Sequence, residues 1–315
     1  MKLLRLIPSN TNFDFLKLRN YAFIFSVLII LGTFLSLFFN NLNYGIDFKG
    51  GILLELRSKN INSSNINDLR DKISSLEAGE VSIQNFGKDI DFLVRIQKQD
   101  GDEKQQIIMI EKVKSITKND YEVRRSEFVG PVVGDELKTA GMLAVGLALV
   151  SIMVYIWFRF EWQFSIAAII ALTHDVITTV GLFSILQLEF NLATIAAILT
   201  TAGYSINDTV VIFDRVRENL RRYKSKDHYF IYNKSINETL SRTVITSVTT
   251  LIALFIIFFF GGAVLSDFAL AMIWGVLIGT FSSIFVAVAI LTFFNIDKGD
   301  RVEDEKNVPE YERNN

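Results

Sequence analysis

Four ionisable residues stand out because the stretches around them hold so few others. His174 and Asp175 lie within 164–186, Asp208 lies within 192–213, and Arg242 heads 243–260. Placing such a group among apolar side chains in a bilayer costs about 2.5–3.5 kcal/mol on insertion scales, so each one is a functional candidate. Helical spacing puts Thr201, Tyr204, Ser205 and Asp208 on one face, with Arg215 continuing the line and Asn207 next to the carboxylate. A second polar stripe runs through Thr239, Arg242, Thr246 and Thr249. Asp208 and Arg242 both fall near the same edge of their stretches, so the spacing predicts that they meet. A guanidinium facing a carboxylate holds it ionised, and protonating the carboxylate releases the arginine, which makes a two-state element that a proton can bias.

Plainer chemistry accounts for the same residues. An Asp–Arg pair between helices neutralises two charges and fixes their register. His174 and Asp175 could hydrogen-bond across a bundle, to Thr178 or to a neighbouring helix. His174 with Ser205 would make a Ser/His dyad, yet Ile206 follows the serine where a small residue is needed to expose the hydroxyl. Asp175 with Asp208 would make an aspartyl dyad, but the two are expected at different depths. No Gly-rich phosphate loop ending in Lys-Ser/Thr is present, so ATP is not an expected ligand of the chain. The Ser and Thr stripes, and the four-residue spacing of Gly275 and Gly279, read first as helix-contact surfaces.

The elements that must hold these residues are written in the composition. The chain has 315 residues, 50% of them hydrophobic, with 27 Phe and no Cys. Its 32 Lys and Arg nearly balance 34 Asp and Glu, which gives no basic field for nucleic acid. Without cysteine there is no disulfide, thiol catalysis or Cys-ligated metal, and no metal site or cofactor is expected. Charge is absent from 139–158 and again from 243–266, and a soluble protein cannot present such stretches in series. About 20 apolar residues cross the hydrocarbon. Six stretches qualify: Tyr21–Phe39, Thr139–Phe158, Phe164–Leu186, Leu192–Phe213, Thr243–Phe260 and Phe268–Phe294. The expected fold is a polytopic α-helical membrane protein.

Lysine and arginine crowd the N-terminus (Lys2, Arg5, Lys17, Arg19) and the Asp214–Ser241 segment, while the turns at Glu189 and Asp267 lack them. The positive-inside rule then puts both termini in the cytoplasm. The expected layout is a cytoplasmic segment 1–20, a first span 21–39, an extracytoplasmic domain 40–138, spans 2–6 over 139–294 with a cytoplasmic loop 214–241, and a disordered cytoplasmic tail 295–315. The basic part of that loop, Arg215–Lys234, is a candidate contact for anionic membrane lipids. The lead-in at Phe13, Phe15 and Leu16 is expected to lie on the membrane surface. In the external segment, Ile52–Arg57, Val81–Phe86, Asp91–Ile96 and Tyr121–Phe128 read as strands, with a hairpin at Gly87–Lys88. Ile66–Leu76 and Ile107–Ile116 carry helical spacing. The order β-α-β-β-α-β predicts a small ferredoxin-like α+β domain between the first two spans.

Several runs resemble the SecD/SecF family of protein-export membrane proteins, on its SecF side. They are Tyr44-Gly45-Ile46-Asp47-Phe48-Lys49-Gly50-Gly51, Glu127-Phe128-Val129-Gly130-Pro131-Val132-Val133-Gly134, Ala171-Leu172-Thr173-His174-Asp175-Val176, Gly203 through Arg215, and Ser241-Arg242-Thr243. Gly45, Asp47, Gly50 and Gly51 match the family motif of the external domain; Lys49 stands where Thr or Ser is common. The resemblance implies a partner, SecD, supplying the other six-helix half of a bundle related to resistance-nodulation-division transporters. It also implies work beside the SecYEG channel, with YajC and YidC as further partners, on unfolded preprotein that the SecA ATPase has begun to export. The implied location is the bacterial inner membrane and the implied energy source is the proton-motive force, with Asp208 and Arg242 tied to proton transport. No catalytic residue is implied. A small-molecule efflux subunit and a non-catalytic scaffold are the alternatives.

Overall fold

The computed structural model describes residues 11–59, 66–76, 78–79, 81–86, 88–97 and 103–296. Expectations for Lys2, Arg5, Gly87 and the tail beyond 296 lie outside these residues. Six helices among them are long and apolar enough to cross a membrane. They are α1 (Arg19–Asn40), α5 (Pro131–Arg159), α6 (Trp162–Leu186), α7 (Leu192–Arg222), α8 (His228–Phe260) and α9 (Ala263–Ser282). The last continues through a π-helical stretch, Ser283–Ala287, into α10 (Val288–Leu291).

Between α1 and α5 come β1 (Asn43–Tyr44), α2 (Ile46–Lys49), β2 (Gly51–Ser58), α3 (Ile66–Ser74), β3 (Val81–Phe86), β4 (Lys88–Ile96), α4 (Glu103–Thr117) and β5 (Tyr121–Val129). The sheet runs β3-β4-β2-β5 with every pair antiparallel, the ferredoxin-like order that the periodicity predicts. Alternation along β2 gives it two buried faces. Ile52, Leu54 and Leu56 pack beneath α3 and α4 against Leu69, Ile73 and Val113. Leu53 turns the other way, onto Leu93 and Ile46.

The bundle is built on close approaches. A Cβ on Gly275 of α9 would lie 2.2 Å from Thr201 Oγ1 of α7, and one on Gly279 would lie 3.0 Å from Ser205 Cβ. The glycine spacing therefore serves helix contact, as its small residues suggest. Gly181 of α6 likewise makes room for Thr33 of α1, and one turn further on Ser36 and Ser184 share a 2.9 Å hydrogen bond. These contacts make α9 the inner helix, packed against α6, α7 and α8.

One expectation is corrected. Segment 214–241 is helical over nearly all its length: α7 runs on to Arg222 and α8 begins at His228, capped by Asp227, whose carboxylate accepts from Phe230 N at 3.1 Å. Charged residues project from a helix beyond the apolar zone as readily as from a loop, so charge alone does not end a helix. The lead-in packs against the end of the bundle. Leu16 is buried in the bundle core, and Phe15 packs edge-on against Phe285. Asn233 and Asn237, one turn apart on α8, bracket its backbone: each Nδ2 donates to Phe13 O, while their Oδ1 atoms accept from Phe15 N and Phe13 N, all at 2.8–2.9 Å.

Candidate functional site

Asp175 is the centre of the polar interior. Its side chain is fully buried, and it is reached by donors from three helices. His174 Nδ1 lies 2.9 Å from Oδ1, Ser205 Oγ of α7 donates to Oδ2, and Ser282 Oγ of α9 donates to Oδ2 at 2.7 Å. With Asp175 ionised, the imidazole must carry its hydrogen on Nδ1, which leaves Nε2 as a buried atom without a partner. The Asp175 carbonyl is engaged too, accepting from Thr178 and Thr179 at 3.1 and 2.7 Å. Just beyond, Thr209 and Ser283 share a 2.8 Å hydrogen bond.

The serines at 282 and 283 sit where the last span switches to π-helical winding. A π turn adds a residue to the ring and re-aims the side chains beside it, and such bulges recur at functional sites. Sequence reasoning missed both residues. The available signal was a pair of adjacent serines in a span otherwise almost wholly apolar, with Ser283 continuing the Gly275–Gly279 spacing.

Asp208 has a different environment. It is 3% exposed, and its Oδ2 has no hydrogen-bond partner. It lies about 24 Å along α7 from the Leu192 end, at 1.5 Å per residue. Arg242 does not pair with it: the guanidinium makes no ion pair within 4 Å and its residue is exposed, although its charge still acts on Asp208. This corrects the predicted meeting. The buried stripe of α8 is Thr239, Thr243 and Ser247, and Arg242 sits one residue, about 100°, around from Thr243. Thr246 and Thr249, from the predicted polar stripe, bond back to carbonyls of their own helix, and so does Thr239. Arg215 reaches the helix ends instead, pairing with Glu218 and Glu238 at 2.6 Å each.

The remaining candidates divide. Ser205 joins the Asp175 hub, so it serves the carboxylate and not a Ser/His dyad with His174. Tyr204 is half-buried with its hydroxyl unpartnered. Asn207 is exposed, as is Gly203 one turn before it, with nothing near the position a Cβ would take. The glycine motif lies at the opposite end of the bundle. Gly50 and Gly51 have φ of 70° and 127°, which only glycine adopts freely. Gly45 N donates to Phe190 O at 2.9 Å, and Asp47 Oδ2 accepts from Leu192 N at the head of α7 at 2.9 Å. β1 pairs in parallel with β6 (Glu189–Phe190), the turn between α6 and α7. The motif is therefore a collar that fixes the exit from α1 onto the start of α7.

Fold and site together define a multi-pass α-helical membrane protein with a buried carboxylate hub and a small α+β domain between its first two spans. The comparisons make the class specific. The family model for the C-terminal region of the protein export membrane proteins SecD/SecF matches residues 108–297, and the SecD/SecF GG motif matches 35–60. Protein translocase subunit SecF of Rickettsia bellii is 44% identical over 297 residues, covering 92% of this chain and 96% of the relative. Its counterpart in Rickettsia rickettsii is 43% identical, covering 92% and 94%. The chain belongs to the SecD/SecF family. Among solved structures, SecDF from Thermus thermophilus, a translocon-associated membrane protein, superposes with a TM-score of 0.81 at 36% identity over 91% of this chain. SecDF in its super-membrane-facing form gives 0.66 at 37% identity over 90%. The chain spans 39% of the length of either SecDF chain.

Proposed function

We propose that this protein acts as an accessory subunit of the Sec protein translocase, pairing with a SecD partner and using the proton-motive force to finish preprotein export across the inner membrane. The observation that carries the proton step is Asp208, a buried carboxylate with an unpartnered oxygen, on the same helix face as Ser205 of the Asp175 hub. A carboxylate held without partners has no fixed arrangement to lose when it takes up a proton, so its charge can change within the cycle. Arg242 is the switch partner: a rotation of α8 by about 100° would turn it from the exposed side to the buried face that Thr243 now occupies.

The SecD half covers the exposed side of α7 and α8, where Gly203, Asn207 and Arg242 lie open. A charged group and an amide on that side are costly against lipid and are satisfied by a protein neighbour. His174 and Asp175 hold α6, α7 and α9 in register beside the proton route, and Tyr204 flanks it. With both termini cytoplasmic, the external domain faces the emerging chain and re-aims as the two halves rock, as in transporters built of paired repeats. Each charge crossing 100 mV supplies about 2.3 kcal/mol, so a few protons suffice for a modest domain rotation. SecYEG, YajC and YidC belong to this reading as neighbours in the same membrane.

The test is gradient-driven completion of a preprotein already threaded through the channel, in inside-out vesicles carrying the SecD partner and with ATP exhausted. Asp208→Asn and Arg242→Ala are expected to assemble normally and to lose at least tenfold in completion. Wild-type completion by both variants would make the two residues helix glue and leave the motor to SecD.

A further inference from the structure

The external sheet is tied to the bundle at two places of different character. One is covalent: β2 enters through Gly50–Gly51 and β5 leaves through Gly130 into α5, and Gly51 pairs with Val129, so both connections sit at one corner of the sheet. The other is on the sheet's bundle-facing side, where Leu53 and Leu93 meet Ile46 and, further out, an ion pair reaches the α6–α7 turn. Arg95, opposite Leu53 in the β2–β4 register, points from the sheet's bundle-facing side to Glu189 in the α6–α7 turn. Both side chains are largely buried, at 16% and 12% exposure, and Arg95 Nε has no partner. A cavity of about 290 Å³ opens beside the pair between sheet and bundle, with Asp47, Arg125, Glu127 and Asp267 also on its wall. Beside the pair, sheet and bundle are therefore separated by this gap, while Leu53 and Leu93 pack on Ile46 next to it.

Glu189 has a prepared seat. A Cβ on Gly45 would lie 2.5 Å from Glu189 Oε1, so any other residue at 45 displaces the carboxylate. The Glu189 carbonyl accepts from Thr194 Oγ1 at 3.2 Å, and Thr194 closes the capping box of α7 with Asn191. The backbone of the residue that holds the sheet is thus tied to the first turn of the helix that carries Ser205 and Asp208.

We propose that Glu189 and Arg95 are positioning residues that transmit the placement of α7 to the external domain, with the glycine-rich corner at Gly50, Gly51 and Gly130 as the pivot. Movement of the α7 head carries Glu189, and Arg95 draws the far strands of the sheet after it. The matching portions of the two SecDF structures superpose on this chain unequally, at 0.81 and 0.66, a difference between those structures. The export readout below rests on the translocase reading above; the distance readout does not.

The chain has no cysteine, so spin labels at Lys112→Cys on α4 and Leu186→Cys at the end of α6 report the sheet-to-bundle distance in the assembled complex with a thiol-free partner. The wild-type distribution is expected to be narrow. Glu189→Ala and Arg95→Ala are each expected to broaden it and to lower gradient-driven completion about tenfold with assembly intact. The double variant is expected to be no worse than either single one, because both remove the same contact. Distributions that stay narrow, broadening without loss of completion, or a double variant with additive losses would each overturn the proposal. If Asp208→Asn completes export normally while Glu189→Ala does not, the proton reading fails and the transmission role stands.

Discussion

Two carboxylates in one bundle have opposite surroundings. Asp175 takes hydrogen bonds from α6, α7 and α9 and has no exposed surface. Asp208, nearly as buried, has an oxygen with no partner and a guanidinium that acts on it from beyond ion-pair distance. The first arrangement makes a charge part of the architecture, because removing it strands three donors. The second makes a charge available, because little structure depends on it. Buried charge by itself does not mark a working residue; how completely it is satisfied separates a strut from a switch.

Thermal unfolding of the purified complex sharpens this contrast. Asp175→Ala is expected to cost most, on the order of 3–5 kcal/mol, since Ser205, Ser282 and His174 lose their acceptor together. Asp175→Asn should recover much of that, because the amide oxygen still accepts. Gly275→Leu comes next: its Cβ alone collides with Thr201, so separation of α7 from α9 is expected at roughly 1–3 kcal/mol or more, read as a lower midpoint and weaker assembly. Ser282→Ala removes one of three donors and should cost about 1 kcal/mol. Asp208→Asn is expected to leave the midpoint within about 0.5 kcal/mol of wild type or to raise it, since no partner is stranded. A drop for Asp208→Asn as large as that for Asp175→Ala would erase the contrast.

Several elements were legible because they are local. The six spans follow from apolar runs long enough to cross the hydrocarbon, and α6 ends at Leu186 as that reading expects. The β-α-β-β-α-β succession of elements between α1 and α5 followed from its periodicities, and the Gly275–Gly279 spacing predicted a helix contact that Thr201 and Ser205 supply. Where helices end in water was less legible: the polar segment after Phe213 continues α7 for nine residues, to Arg222, because charged side chains leave the backbone ladder intact. The Asp208–Arg242 meeting was predicted from depth alone, and the structure separates the two by the rotation of α8 about its axis.

The sequence by itself determined that the chain crosses the membrane, how often it does so, and which few ionisable residues lie inside, because desolvation makes every such residue conspicuous. Only the tertiary structure decided what those residues face. Ser282 at the end of α9 reaches Asp175 on α6, and Glu189 reaches Arg95 across a gap between domains. Such partners lie tens of residues apart in the chain, and hydrogen bonds form only within about 3 Å, so helix rotation and packing choose them and one-dimensional spacing does not.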